Sequence, residues 1–287
     1  MKIAIAGYRG FLGTTYMEHR DDLEFVPISR SLLYGDAALL KEALSGCEVV
    51  LNLAGSPITK RWTRRNKKSI VESRNEVNKN LVKAVNLMES KPRLYISASA
   101  IGLYTSTGVQ TEQDFEREEH FLARVVEGWE APLKKLDGSV NCAIVRIGLV
   151  LGREGGLLGP LLKMSRLGVL TIMGSGRQFF SFIHLRDLHR AIDFIVAGSL
   201  SGIFNLTSPF PVDNATFTKT LAEVTGTRWI FRIPSLLIKI GLGEAAILMT
   251  EGPNVLPARL TGEGFRFDFP TAGEALRNLV ESIEESH

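Results

Sequence analysis

The chain opens on a short apolar alternation. Lys2 to Ala6 reads Lys-Ile-Ala-Ile-Ala, with β-branched Ile3 and Ile5, and predicts a buried strand. Gly7, Gly10 and Gly13 follow at once, and Phe11 to Arg20 then carries the pattern of a helix. The two periods keep taking turns. Phe25 to Ser29 predicts a second strand, Asp36 a cap for the helix carrying Leu39, Leu40 and Leu44, and Glu48 to Leu53 a third strand. A helix over residues 67–88 sets Ile70, Val77, Leu81, Val85 and Met88 at helical spacing. Arg93 to Ala98 predicts a strand, residues 118–136 a helix and residues 141–151 a further β-rich run. Alternation this regular implies an α/β architecture: a Rossmann-type doubly wound parallel sheet with both faces covered.

From Gly152 the pattern loosens, and glycines at 155, 156, 159, 168, 174 and 176 cut it into short elements. Asp187 is expected to cap a helix running through Val196; Ile203 to Leu206 predicts a strand, and helices are expected over 214–224, 234–249 and 272–283. Residues 1–151 are therefore expected to form one lobe to which 189–207 returns. Residues 152–287 then form mainly a smaller C-terminal substrate-side lobe.

The glycines bear on chemistry because of what flanks them. A strand, a glycine turn and a helix in that order make a dinucleotide signature. Gly7 permits the tight turn, Gly10 lets backbone approach a pyrophosphate, and Gly13 lets helix pack close to strand, with phosphates held by the unpaired N–H groups of the helix start at Phe11 and Leu12. The spacing is G-x-x-G-x-x-G. At the end of the second strand, where an acid would hold a free ribose 2′-hydroxyl, stand Ser29 and Arg30. An arginine pairs instead with a 2′-phosphate, and Arg9 in the turn can assist, so NADP is favoured over NAD. The third strand ends in Leu53-Ala54-Gly55, small enough for a loop to pass beneath a cofactor, and Arg74 on the next helix faces the same cleft. Ser99, at the carboxyl end of the following strand, and Tyr104 just beyond it are the candidate catalytic residues. Arg177 and Gln178, between flexible glycines, and His184 are candidates for the substrate side.

Composition narrows the partners. The 287 residues are 45% hydrophobic and 23% charged, ordinary for a globular protein, and the net charge of +3 is too small to imply a polyanion. The basic run Lys60 to Lys68 around Trp62 is read as a solvated loop and helix start rather than a nucleic-acid contact, and the acidic run Glu112 to Glu119 as another solvated loop. Cys47 and Cys142 lack metal-binding spacing, so no metal is expected; both lie in apolar contexts of the kind found for reduced thiols in a cytosol-like compartment. No secretory signal is visible, and Leu236 to Met249 is interrupted by Lys239, Gly241, Gly243 and Glu244, so no membrane span is expected. The expected setting is cytoplasmic, the partner a small molecule, and the oligomeric state is left open.

The motifs together resemble the extended short-chain dehydrogenase/reductase superfamily, and within it the YfcH-like, epimerase-family branch. The likeness rests on Gly7-Tyr-Arg-Gly-Phe-Leu-Gly13, Asn52-Leu-Ala-Gly55, Arg61-Trp62, Ser73-Arg74, Ser99-Ala100, Trp129-Glu130, Arg146 to Gly152, Gly174 to Gln178, Ile183-His184 with Asp187, Leu256-Pro257 and Gly264-Phe265. The resemblance implies NADP in the N-terminal lobe, Ser29-Arg30 on the 2′-phosphate side, Leu53-Ala54 on the adenosine side, Arg74 facing the cofactor and Val150 by the nicotinamide. It also implies nucleoside-diphosphate-sugar epimerase or oxidoreductase chemistry, but with a departure. Active members of the superfamily use a tyrosine with a lysine four residues on; counting from Ser99, those positions hold Phe121 and Val125, which transfer no proton. Three readings follow: an oxidoreductase or epimerase with altered acid–base chemistry, an NADP-binding sensor without turnover, or a regulatory, cell-division-related interaction protein.

Overall fold

The computed structural model describes residues 1–59, 61–153 and 155–284. In chain order its first half runs β1 (Lys2–Ala6), α1 (Phe11–Glu18), β2 (Glu24–Ile28), α2 (Arg30–Leu33), α3 (Ala37–Ala43), β3 (Val49–Asn52), α4 (Arg64–Asn86), β4 (Leu94–Ala100), β5 (Val109–Gln110), α5 (Phe121–Glu130), β6 (Asn141–Ile147) and β7 (Leu149–Leu151). The second half continues with α6 (Leu158–Arg166), β8 (Val169–Met173), β9 (Phe179–Phe180), β10 (Phe182–His184), α7 (Leu185–Gly198), β11 (Gly202–Leu206), β12 (Val212–Asp213) and α8 (Asn214–Thr225). It closes with β13 (Trp229–Ile233), α9 (Ser235–Leu242), α10 (Ile247–Thr250), β14 (Asn254–Val255), α11 (Ala258–Gly262) and α12 (Ala272–Glu284).

Six strands form one parallel sheet in the order β11-β6-β4-β3-β1-β2. The apolar strands are continuous because both faces are covered. In β1, Ile3 and Ile5 enter one core with Tyr16 of α1 and Leu188, Ile192 and Ile195 of α7, while Ala4 and Ala6 enter the other with Leu40 of α3 and Val77, Leu81 and Val85 of α4. Strand order reverses between β1 and β3, which opens a crevice at their carboxyl ends. The later elements build a separate core from Leu158, Leu170, Phe182, Phe217, Leu221 and Leu276.

Several expectations change in three dimensions. Asp36 caps α3 as anticipated, its carboxylate accepting from Ala38 N at 2.9 Å. Asp187 caps nothing: His184 Nδ1 accepts from Arg186 N at 3.2 Å and starts α7, while the buried Asp187 carboxylate accepts from Asp268 N and Phe269 N at 2.8 and 2.9 Å. The helix expected over 234–249 breaks at Gly243, whose φ of +60° no helix accommodates. β13 was not anticipated at all; its four leading residues are exposed and lack the alternation that marks a half-buried strand. The acidic run is not wholly solvated, because Glu112 is buried and its carboxylate accepts from Asn205 N and Arg259 N at 2.8 and 3.2 Å. Burial raises the pKa of that carboxyl. In the basic run, Lys60 lies outside the described residues and Trp62 is buried, its indole N–H donating to Ile58 O at 2.9 Å.

Candidate cofactor site

The crevice between β1 and β3 is a groove of about 470 Å³, lined by the glycine turn, the start of α2, the loop after β3 and one side of α4. Its shape depends on missing side chains. Gly7 has φ +83°, and a Cβ there would lie 2.6 Å from Leu53 C and 2.7 Å from Ala54 N. A Cβ on Gly13 would lie 2.5 Å from Gly7 O, so α1 packs against the turn only because that residue is glycine. Gly10 lines the groove as the N-cap of α1 and offers no side chain to its first-turn N–H groups, which a phosphate would satisfy. Phe11 and Leu12 lie outside the groove's lining. The Phe11 ring packs towards Gly152 and Gly155, where a Cβ would come within 2.6 and 2.5 Å of it, and Leu12 packs on the sheet core.

At the other end of the groove, Ser29 caps α2 and its hydroxyl pairs with Ser31 at 2.8 Å. Arg30 is exposed over the Tyr34 ring at 5.4 Å, and Arg9 lies over Tyr8 at 5.3 Å. Neither guanidinium has a carboxylate partner among the described residues. Two such exposed cations lining one groove are suited to a dianionic group.

The floor is held by a buried network that the sequence motifs did not reveal. Asn78 of α4 is at its centre. Its amide oxygen accepts from Asn52 Nδ2 at 2.7 Å and Tyr95 OH at 2.8 Å, and its Nδ2 donates to Trp129 O at 2.8 Å and Ser97 Oγ at 3.0 Å. Asn52 Oδ1 in turn accepts from Ala54 N at 3.1 Å, so the network fixes the Leu53–Ala54 loop beneath the groove. Asn78 on the apolar stripe of its helix, one residue from Val77 and three from Leu81, was the available signal.

Arg74, one residue from the groove-lining Ser73, brings its guanidinium against Gly55: a Cβ there would lie 3.1 Å from Nη2. It stacks over Trp129 at 4.8 Å and donates to Ile70 O at 3.2 Å. No carboxylate balances it among the described residues, and burial pushes its pKa down to about 10, still a cation at neutral pH. Val150 sits further along in β7, paired with Ile183 and packed on the central core, outside the groove's lining.

The two catalytic candidates do not stand open to the groove. Ser99 is buried, and its hydroxyl donates to Glu130 Oε1 at 2.6 Å; Glu130 is gripped in turn by Arg146 at 2.9 and 2.8 Å. Tyr104 is 1% exposed, donates to Asn205 Oδ1 at 2.7 Å and accepts from Arg146 Nη1 at 2.9 Å. Burial raises its pKa, against the neighbouring Arg146 charge. Tyr104, just beyond β4, is thus held by Asn205 of β11 and Arg146 of β6, the packing position that its ring would take rather than one open to the groove. Phe121 and Val125 join Trp62, Ile70, Ala245 and Leu242 in an apolar cluster, with the Trp62 and Phe121 rings 5.0 Å apart.

Of Arg177, Gln178 and His184, the residues expected on the substrate side, Arg177 alone is exposed. Gln178 is buried and donates to Met173 O and Met249 O at 2.9 and 2.7 Å; it pins its loop. His184 is buried against Phe269, ring centroids 4.0 Å apart, and burial pushes its pKa down to about 4. Each is held in part by a later segment, Gln178 through Met249 and His184 through Phe269.

A glycine turn at the switch point of a doubly wound parallel sheet, with exposed arginines lining the groove, defines a nicotinamide-dinucleotide-binding fold. Comparison with known proteins agrees. A sequence model of the NAD dependent epimerase/dehydratase family matches residues 3–206, and a domain of unknown function (DUF1731) matches residues 233–279. The chain belongs to that epimerase/dehydratase family, in its short-chain dehydrogenase/reductase-like form. It is 31% identical over 292 residues to human epimerase family protein SDR39U1, covering 98% of this chain and all of that one. It is 30% identical to epimerase family protein YfhF of Bacillus subtilis, covering 98% of each. The crystal structure of human SDR39U1 (isoform 2) with NADPH superposes with a TM-score of 0.90 at 30% identity, covering 98% of this chain and 99% of that one. A nucleoside-diphosphate sugar epimerase from Corynebacterium glutamicum superposes with a TM-score of 0.77 at 26% identity, over 98% of this chain and 58% of that larger one. A nicotinamide dinucleotide is therefore the cofactor class.

Proposed function

We propose that the chain binds NADP(H) specifically, through Arg9 and Arg30 at the 2′-phosphate end and Arg74 near the middle of the cofactor. We further propose that it acts as an oxidoreductase or epimerase on an anionic small molecule of the nucleoside-diphosphate-sugar class. The observation that carries the cofactor assignment is the pair of exposed guanidinium groups, each without a carboxylate partner among the described residues, at the rim of a groove cradled by Gly7 and Gly13. The nicotinamide supplies hydride transfer; this chain's residues supply orientation and charge. Human SDR39U1, crystallised with NADPH, supports the choice of the phosphorylated form.

A second reading is favoured by the polar network: binding without turnover. Ser99 spends its proton on Glu130, Tyr104 is locked between Asn205 and Arg146, and the Phe121–Val125 stripe is apolar. Calorimetric titration with NADPH, NADP and NADH tests the shared premise. Loss of absorbance at 340 nm on adding carbonyl compounds or nucleoside-diphosphate sugars then supports turnover, while tight binding with no loss across the panel supports the sensor.

A further inference from the structure

Alternate residues of a strand point to opposite faces, so a strand resting on a core buries every second side chain. β13 does not. Trp229 is 64% exposed, Ile230 37% and Phe231 55%, and Arg232 is exposed as well. Its ladder is to β8, whose central residues are buried, and its outer edge has no strand partner among the described residues. Pro234 then leads straight into α9, where Leu236, Leu237 and Ile240 are 68%, 57% and 68% exposed and Ile238 alone is buried. The contrast with α4 is plain: its outward face carries the ion pairs Lys68–Glu72 and Glu76–Lys79. An open, apolar strand edge of this kind invites pairing with another strand.

We propose that β13 and α9 form a homodimer interface, in which β13 pairs antiparallel with β13 of a second copy about a two-fold axis through Phe231. Three observations select a second copy. The six apolar side chains leave on the order of 700 Å² accessible on the two faces of β13 and on α9, a ceiling within the range about the ~800 Å² that each partner contributes to a standard interface. One face of the β8–β13 pair is held by α6 and α8, and pairing through β13 converts it into a four-stranded sheet with the exposed edge removed. The register is also self-compatible. Phe231 faces its own copy, Trp229 faces Ile233, and Arg232 faces Ile230, so no like charges are opposed. Arg232 is already committed within its own chain, donating to Gly174 O at 3.2 Å.

The mass of the full chain in solution, measured by light scattering on a gel-filtration column, tests this. The expected result is twice the chain mass at micromolar concentration, with Phe231→Glu and Ile240→Lys shifting dissociation at least 100-fold towards monomer. Unchanged far-UV circular dichroism shows that the variants fold. Mild oxidation of Phe231→Cys should give a covalent dimer, because paired residues on an axis lie within disulfide reach. Ile230→Cys, offset from its own copy, should not cross-link, and neither should the wild type. A wild type that stays at single-chain mass at 100 μM, or a Phe231→Glu variant that still dimerises, overturns the proposal. A monomeric wild type that floats with phosphatidylserine-containing vesicles, and loses this on Phe231→Glu, overturns it in favour of a membrane contact.

Discussion

Replacing Arg30 by alanine tests the cofactor assignment most directly. The residue is exposed at the groove's rim, stacked on Tyr34 and without a carboxylate partner among the described residues, so its removal breaks no internal ion pair and leaves nothing buried unpaired. The fold should therefore hold, with a melting temperature unchanged to within about 1–2 °C. Hydrogen bonds between charged partners contribute about 1.5–3 kcal/mol each, and solvent at the rim places Arg30 at the lower end. A loss of roughly 1.5–2 kcal/mol weakens NADPH binding about 10–30-fold. NADH lacks the 2′-phosphate, so its affinity should change by no more than about twofold. The quantity to measure by calorimetry is thus the ratio of the two affinities, in low and high salt, because screening should erode the NADPH advantage of the wild type. Arg9→Ala should act in the same direction, and the double variant should bind both nucleotides about equally. If Arg30→Ala weakens NADPH and NADH in equal proportion, the arginines are not reading a phosphate. If the wild type prefers NADH, the assignment falls.

Three further outcomes follow from buried groups. Asn78→Leu removes the partners of Asn52 Nδ2, Tyr95 OH and Trp129 O together, and should cost about 3–5 kcal/mol in urea unfolding while releasing the loop at Ala54 and weakening NADPH binding. Restoring the superfamily pair with Phe121→Tyr and Val125→Lys should not create turnover at 340 nm. Val125 is 4% exposed within an apolar cluster, so the new ammonium would be unpaired and should destabilise by about 3 kcal/mol or more; a gain of activity would refute this placement. His184 and His189 are both pushed down to about 4 by burial, against an ordinary value of 6.5. Between those values the unfolded chain binds more protons than the folded one, so stability should be fully present above about pH 6.5 and fall progressively as the pH drops to about 4. Thermal unfolding across pH 4–7, with His184→Gln and His189→Gln flattening the slope, checks the sign.

How much of the site was legible differs from one residue to the next. Gly7 and Gly13 could be assigned their tasks because conformational freedom and the lack of a Cβ are properties of the residue itself. The absence of an acid at Ser29-Arg30 is likewise readable at a strand end whose position the apolar period gives. Asp36, a capping residue two positions before the N–H it accepts, was legible for the same reason. Asp187 was not, since the N–H groups it serves belong to Asp268 and Phe269, some eighty residues away.

What the sequence determined by itself was therefore local and periodic: the strands of the main sheet, the glycine cradle and the cationic rim. Tertiary structure alone decided the fate of the polar candidates. Ser99, Tyr104, Gln178 and His184 all carry groups able to do chemistry, yet each is spent on a partner brought to it from a distant segment or on its own helix start. The physical reason is that leaving a buried polar group unpaired costs more than pairing it gains. A donor enclosed by the fold is claimed by whichever acceptor packing delivers, and no spacing along one chain records which that is.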